Sequence, residues 1–95
     1  MTKKELQDRL KHFAIVIIQF AENLPSTAGF RTVRNQIVRS ASSSAANYRA
    51  ACRAKSDKDY IYKMEIVEEE LDETLFWLEF TVGLNGDYRD TVKPL

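Results

Sequence analysis

Asn35 to Ala51, NQIVRSASSSAANYRAA, decides the reading of this 95-residue chain. The stretch has neither Gly nor Pro. Val33, Ile37, Ala41, Ser44, Tyr48 and Cys52 recur through it at helical spacing, which predicts a helix. Its middle, Ser40 to Ala46, is built only from Ser and Ala. Serines in a helix interior cost propensity, because their hydroxyls compete for nearby backbone groups. Close approach of a neighbouring helix offsets that cost, since small side chains let two axes come together. The segment therefore belongs at the centre of a helical bundle, and the remaining chain reads as what packs against it.

Working outward, Thr2 and Glu5 form a T-x-x-E capping box. Leu6, Leu10, Phe13, Ile17, Phe20 and Leu24 then fall at steps of four and three, giving a first helix at about 2–24. Ile15, Val16 and Ile18 widen its apolar stripe, so this helix must bury two sides. Pro25 stops it, and Pro25 to Gly29 is a loop by composition. The central helix follows at about 30–53. The short connection at Ala54 to Ser56 makes its neighbour antiparallel. Ser56 and Asp59 start a third helix at about 57–82, with Tyr60, Met64, Val67, Leu71, Leu75, Leu78 and Val82 as its stripe. Phe76, Trp77 and Phe80 add large aromatics on other faces, and Gly83 and Gly86 end it. Asp90 or Thr91, followed by Pro94, resembles the start of a fourth helix at 90–95. The expected fold is all-α: a single domain, residues 1–95, forming an antiparallel up-and-down bundle. Three helices are expected, with the fourth of a four-helix bundle missing after Leu95. Because a helix start stands there with nothing to start, the natural chain is expected to continue past Leu95.

Composition narrows the function classes. Formal net charge is zero, with 44% hydrophobic and 29% charged residues, so the total indicates no general affinity for nucleic acid or anionic membrane. One cysteine, Cys52, excludes an internal disulfide framework and fits a reducing, cytoplasmic setting. The charged N-terminus shows no signal peptide, and the apolar run Phe13 to Ile18 is too short to span a bilayer, so no membrane association is expected.

The neutral total hides a segregation. Between Asn23 and Ser56 every charge is positive, and from Glu65 to Glu79 every charge is negative. A hairpin centred near Lys55 puts Arg39 level with Leu71 and Asp72. These charges pair across solvated faces, or Arg39 is partly buried and held by Glu69, Asp72 or Glu73. Gln36, Ser43 and Asn47 complete the expected polar layer. No E-x-x-H motif exists and His12 is the only histidine, so neither a metal nor any other cofactor is expected. No nucleophile elbow or Gly-rich phosphate loop is present, which argues against an enzyme. Arg49, Arg53, Lys55, Lys58 and Lys63 gather with Tyr48, Tyr60 and Tyr62 where the second helix meets the third. Cations among aromatics can stack on and neutralise single-stranded nucleic acid, and the same cluster also suits an ordinary wet bundle end.

The pattern Gln36-Ile37-x-Arg39-x-Ala41-x-Ser43-x-x-x-Asn47 resembles the second-helix signature of the "four helix bundle" family, whose members relate to proteins encoded in intervening sequences of bacterial large-subunit ribosomal RNA genes. Arg53-x-x-Ser56, Tyr60-Ile61, Asp72-Glu73-Thr74 and Trp77-Leu78-Glu79 continue the likeness. The resemblance implies an up-and-down four-helix subunit that assembles into a ring, a homopentamer in known cases. Related accessory proteins of diversity-generating retroelements bind a reverse transcriptase and nucleic acid through a basic surface. This chain departs from them in being neutral and in lacking the fourth helix. The leading expectation is a non-enzymatic, self-associating scaffold or accessory subunit, with Phe76, Trp77 and Phe80 at its oligomer interface. The alternative is a nucleic-acid-binding accessory protein, RNA or reverse-transcriptase associated, using the basic cluster.

Overall fold

The computed structural model describes residues 1–95 and contains no strand. Three long helices, α1 (Lys3–Glu22), α2 (Ala28–Ala51) and α3 (Asp57–Leu84), run up, down and up. A 3-10 turn (Gly86–Tyr88) and a short helix, α4 (Arg89–Val92), follow. The chain is thus the expected all-α helical bundle, with one correction. It has four helices rather than three, because the segment expected only to begin a helix at 90–95 forms a single turn starting at Arg89. Pro94 ends that turn instead of opening one, since it has no N–H to continue the ladder.

Local chemistry sets the helix ends. The Thr2 hydroxyl oxygen accepts from the Glu5 backbone N–H at 3.1 Å, and Ser56 accepts from Asp59 at 3.1 Å. These bonds satisfy amides that have no partner within their own helix. The Thr27 side chain makes no such bond before α2. Gly29 matters for a different reason: a Cβ there would lie 3.2 Å from a Leu84 methyl, so its absence lets the start of α2 approach the end of α3.

α2 is the axis of the molecule. Phe30, Val33, Ile37, Ser40, Ala41, Ser44, Tyr48 and Ala51 are buried along it. α1 contributes Ala14, Ile17 and Ala21 to the core, and α3 contributes Leu78. α1 and α3 each pack on α2, but no Cα of α1 lies within 8 Å of one in α3. At the far end Tyr88 covers the core, its ring centroid 6.2 Å from Phe20 and 5.6 Å from Phe30, with Val92 and Leu95 beside it.

The serines resolve their hydroxyls at short range. Ser44 donates to the Ala41 carbonyl and Ser42 to that of Val38, both at 2.7 Å. Ser40 reaches across instead. Its Oγ lies 2.8 Å from Thr74 Oγ1, and Thr74 donates to the Glu70 carbonyl at 2.9 Å. The Thr74 proton being committed there, Ser40 is the donor between the two. Both side chains are fully buried.

The apolar stripe of α3 is only partly covered. Val67 and Leu78 are buried, and Thr74 and Thr81 complete that seam. Leu75, assigned to the stripe from sequence, is 53% exposed, and Tyr60 is exposed too. The cause is geometric: α3 packs mainly on α2, with no Cα of α1 within 8 Å, and buries the seam that faces α2.

Thr74→Val keeps the shape but strands the Ser40 hydroxyl, whose remaining acceptor is the Ile37 carbonyl at 3.3 Å. A loss of about 1 kcal/mol is expected in chemical denaturation. Ser40→Ala in the Thr74→Val background should cost less than Ser40→Ala alone, a coupling that a double-mutant cycle measures directly. Strict additivity would show that the two hydroxyls do not interact.

Candidate functional site

With no catalytic set in the sequence, three surfaces carry what chemistry the molecule has. The first is a charged clamp between α2 and α3. Arg39 donates to Glu70 at 3.0 Å and also to Glu73, and the indole N–H of Trp77 donates to the same Glu73 oxygen at 3.2 Å. Glu73 first, with Glu70 adding to it, lifts the Arg39 guanidinium above its ordinary value, against the opposing effect of burial. The expected partners Glu69 and Asp72 are not in the clamp. They lie beside Glu65, Glu68, Leu71 and Leu75 on the outside of α3. Helical phase explains the difference: residues 70, 73 and 77 share one face at steps of three and four, and their sequence neighbours point about 100° away. The rest of the expected polar layer stays local. Asn47 donates to the Ser43 carbonyl and hydroxyl, both at 2.9 Å, and Gln36 is half-buried without a hydrogen-bond partner among the side chains that make one.

The second surface is the outer face of α3. Its middle carries the acids Glu65, Glu68, Glu69 and Asp72, none of which forms an ion pair. Its C-terminal half carries an aromatic cluster. Phe76 and Trp77 have centroids 4.9 Å apart, and Phe80 lies 5.3 Å from Trp77. Trp77 is half-buried against the core, whereas Phe76 is 52% and Phe80 39% exposed. Singly exposed apolar residues are ordinary, whereas these two aromatic rings stand exposed side by side on one helix face.

The third surface is the basic end, and it splits the expected cluster. Lys63 is paired with Asp59 at 2.8 Å, a bond that holds the Asp59 carboxyl below its usual range. Arg53 and Lys58 are exposed without an ion pair. Lys55 borders a cleft with Lys3, Cys52 and Tyr60. Arg49 borders another, of about 310 Å³, between α1 and α2, where it meets Lys4, Gln7 and Lys11 above Ala45 and Ala46. Asp8 is the single acid there and is held by Lys4 at 3.0 Å. The α1 lysines were absent from the sequence-based cluster, although the antiparallel turn at Pro25 brings them to this end. At the same end of α2 the half-buried Cys52 thiol, and then burial, push the Tyr48 phenol up to about 12.

No group of three His, Cys, Asp or Glu is arranged to hold a metal ion, and no helix is long and apolar enough to cross a membrane.

The clamp invites a direct test. The Arg39 side chain is 48% exposed, which removes the several-kcal/mol cost expected of a buried pair, but that of Glu70 is only 17% exposed. Arg31 only donates to the Ser26 carbonyl on the surface, at 2.9 Å. Arg39→Met should therefore destabilise by about 1 kcal/mol more than Arg31→Met, roughly 5 °C in melting temperature. Equal melting temperatures would leave Arg39 as one more surface charge.

Comparison with known proteins places this architecture. The family model described as 23S rRNA-intervening sequence protein matches residues 3–91, from the first turn of α1 into α4. No curated protein and no solved structure matches the chain. The match spans all three long helices and the clamp between them, so this chain belongs to the 23S rRNA-intervening sequence protein family.

Proposed function

We propose that the protein is a non-enzymatic, self-associating bundle that serves as a scaffold or accessory subunit. The outer face of α3 carries this reading: Leu75, Phe76 and Phe80 stand exposed together on one long helix. Removing such a surface from water is favourable by roughly 25 cal/mol per Å² of apolar area. The family resemblance supports a closed homo-oligomer, a pentamer in known cases. Membership of a family of small helical proteins, with no constellation for acid–base, nucleophilic or metal chemistry, supports a role without catalysis.

Sedimentation velocity at micromolar concentration should give a species larger than a dimer. Trp77 fluorescence should shift to the blue on assembly, as the aromatic cluster becomes covered. A well-folded monomer across the accessible concentration range would overturn the reading.

A second reading, an accessory protein that contacts nucleic acid, is favoured by one observation. Arg49, Arg53, Lys55 and Lys58 are free of ion pairs, and α1 adds Lys3 and Lys11 at the same end. Anisotropy titrations against structured RNA and single-stranded DNA separate the two readings. Phosphate contacts must weaken steeply between low and high salt, whereas flat, undetectable binding at low salt removes this alternative.

A further inference from the structure

Resting on the self-association proposed above, we infer how two copies meet: the basic cleft between α1 and α2 of one copy takes the outer face of α3 of a second copy. The partner is identified by charge. Lys11 and Arg49 have no anion of their own chain within ion-pair distance, and Lys4 has only Asp8. Glu65, Glu68, Glu69 and Asp72 have no cation. The two surfaces do not neutralise each other within one molecule: no ion pair joins α1 to α3, and no Cα of α1 lies within 8 Å of one in α3.

Order and direction also match. Along one face of α1 stand Lys4, Lys11 and, four residues on, Ile15, which is exposed. Along the outer face of α3 stand Glu65, Asp72 and, four residues on, Phe76. Both faces run from charge to apolar residue at the same spacing, seven and then four. α1 and α3 are each antiparallel to α2 and hence parallel to each other. A rotation about an axis along the bundle therefore sets α1 of one copy beside α3 of the next, pointing the same way. The heights agree as well. Ala45 borders the cleft with Lys11, and Ser40, five residues earlier on α2, is bonded to Thr74. Five residues back from Thr74 on antiparallel α3 is Glu69, so Lys11 and Glu69 stand at one level. Asp72 is about 4.5 Å further along, less than one turn and within reach of a lysine side chain. Such a contact joins two different surfaces, so it is heterologous: repeated, it closes into a ring or runs on as a filament.

The test uses the full chain and two charge-reversed variants, Lys11→Glu/Arg49→Glu and Glu69→Lys/Asp72→Lys, followed by sedimentation velocity with circular dichroism as the check of folding. Each variant alone sets like charges against each other and should associate about tenfold more weakly or worse. Mixed in equal amounts they should associate again, because each contact between unlike variants then pairs opposite charges, whereas an odd-membered ring keeps one like-charge contact. The unmodified chain should dissociate as salt rises from 0.1 to 1 M, where screening shortens from about 10 to about 3 Å. This arm decides the matter even if a variant fails to fold. Wild-type assembly that resists salt, or variants that associate as well as wild type, would overturn this contact while leaving self-association standing. A monomeric wild-type chain at low salt would instead remove the underlying proposal. Loss of RNA binding without loss of assembly in Lys11→Glu/Arg49→Glu would make the cleft a phosphate site and overturn the inference.

Discussion

The close approach of other helices to the Ser-Ala face of α2 is the constraint on which the remaining architecture depends. Ala41 and Ser44 present almost no bulk, and Ala14 and Ala21 are likewise the small buried residues of α1. A seam this thin brings helix axes together, but it also excludes apolar volume from the centre. What it loses in buried area it recovers through Ser40 and Thr74, which turn a polar cost into a cross-helix hydrogen bond. Larger residues at these positions would push the helices apart, and the clamp from Arg39 to Glu70 and Glu73 would be stretched along with them.

A central helix that holds both neighbours prevents those neighbours from covering each other. α1 and α3 flank α2, and each keeps an apolar margin: Ile15 on α1, and Leu75, Phe76 and Phe80 on α3. The turn and α4 close only one end, where Tyr88 meets Phe20 and Phe30. The exposed surface is thus a consequence of the small-residue seam and not a separate feature of α3. A single small bundle that leaves such residues in water has little stability to spare, which links folding of the subunit to whatever covers it.

Much of the fold was legible in the sequence because it rests on local signals. The Thr2 and Ser56 caps, Pro25 as a stop and the 3.6-residue apolar period all act within a few residues. The site was legible only in part. That Arg39 meets acids of α3 follows from antiparallel register. Choosing Glu70 and Glu73 over Glu69 and Asp72 requires the rotation of α3 about its own axis, and its broad apolar pattern leaves that rotation ambiguous. Leu75 shows the same ambiguity. It fits the stripe by spacing, yet the buried seam runs through Thr74 and Thr81, two residues that carry no apolar signal at all. The joining of Lys4 and Lys11 to Arg49 depends on a contact between distant stretches of chain, which composition does not report.

Zero net charge conceals a molecule with opposite ends and faces. With acids gathered on the outside of α3 and cations gathered near the ends of α1 and α2, attraction at long range is small while torque on an approaching charged partner is large. A polyanion reaching the basic end would have to avoid the α3 acids, which restricts it to the side where Arg49 meets Lys4 and Lys11. A partner carrying both signs meets no such restriction. Its acids and cations find their complements at fixed separation, and the exposed aromatic residues lie one or two turns beyond the acids on the same helix. Charge then selects the orientation and shares the affinity with apolar burial, so that screening the charges weakens the contact as a whole. In the contact proposed above a second copy of this chain is that partner, since one molecule carries the acids, the cations and the exposed aromatic residues.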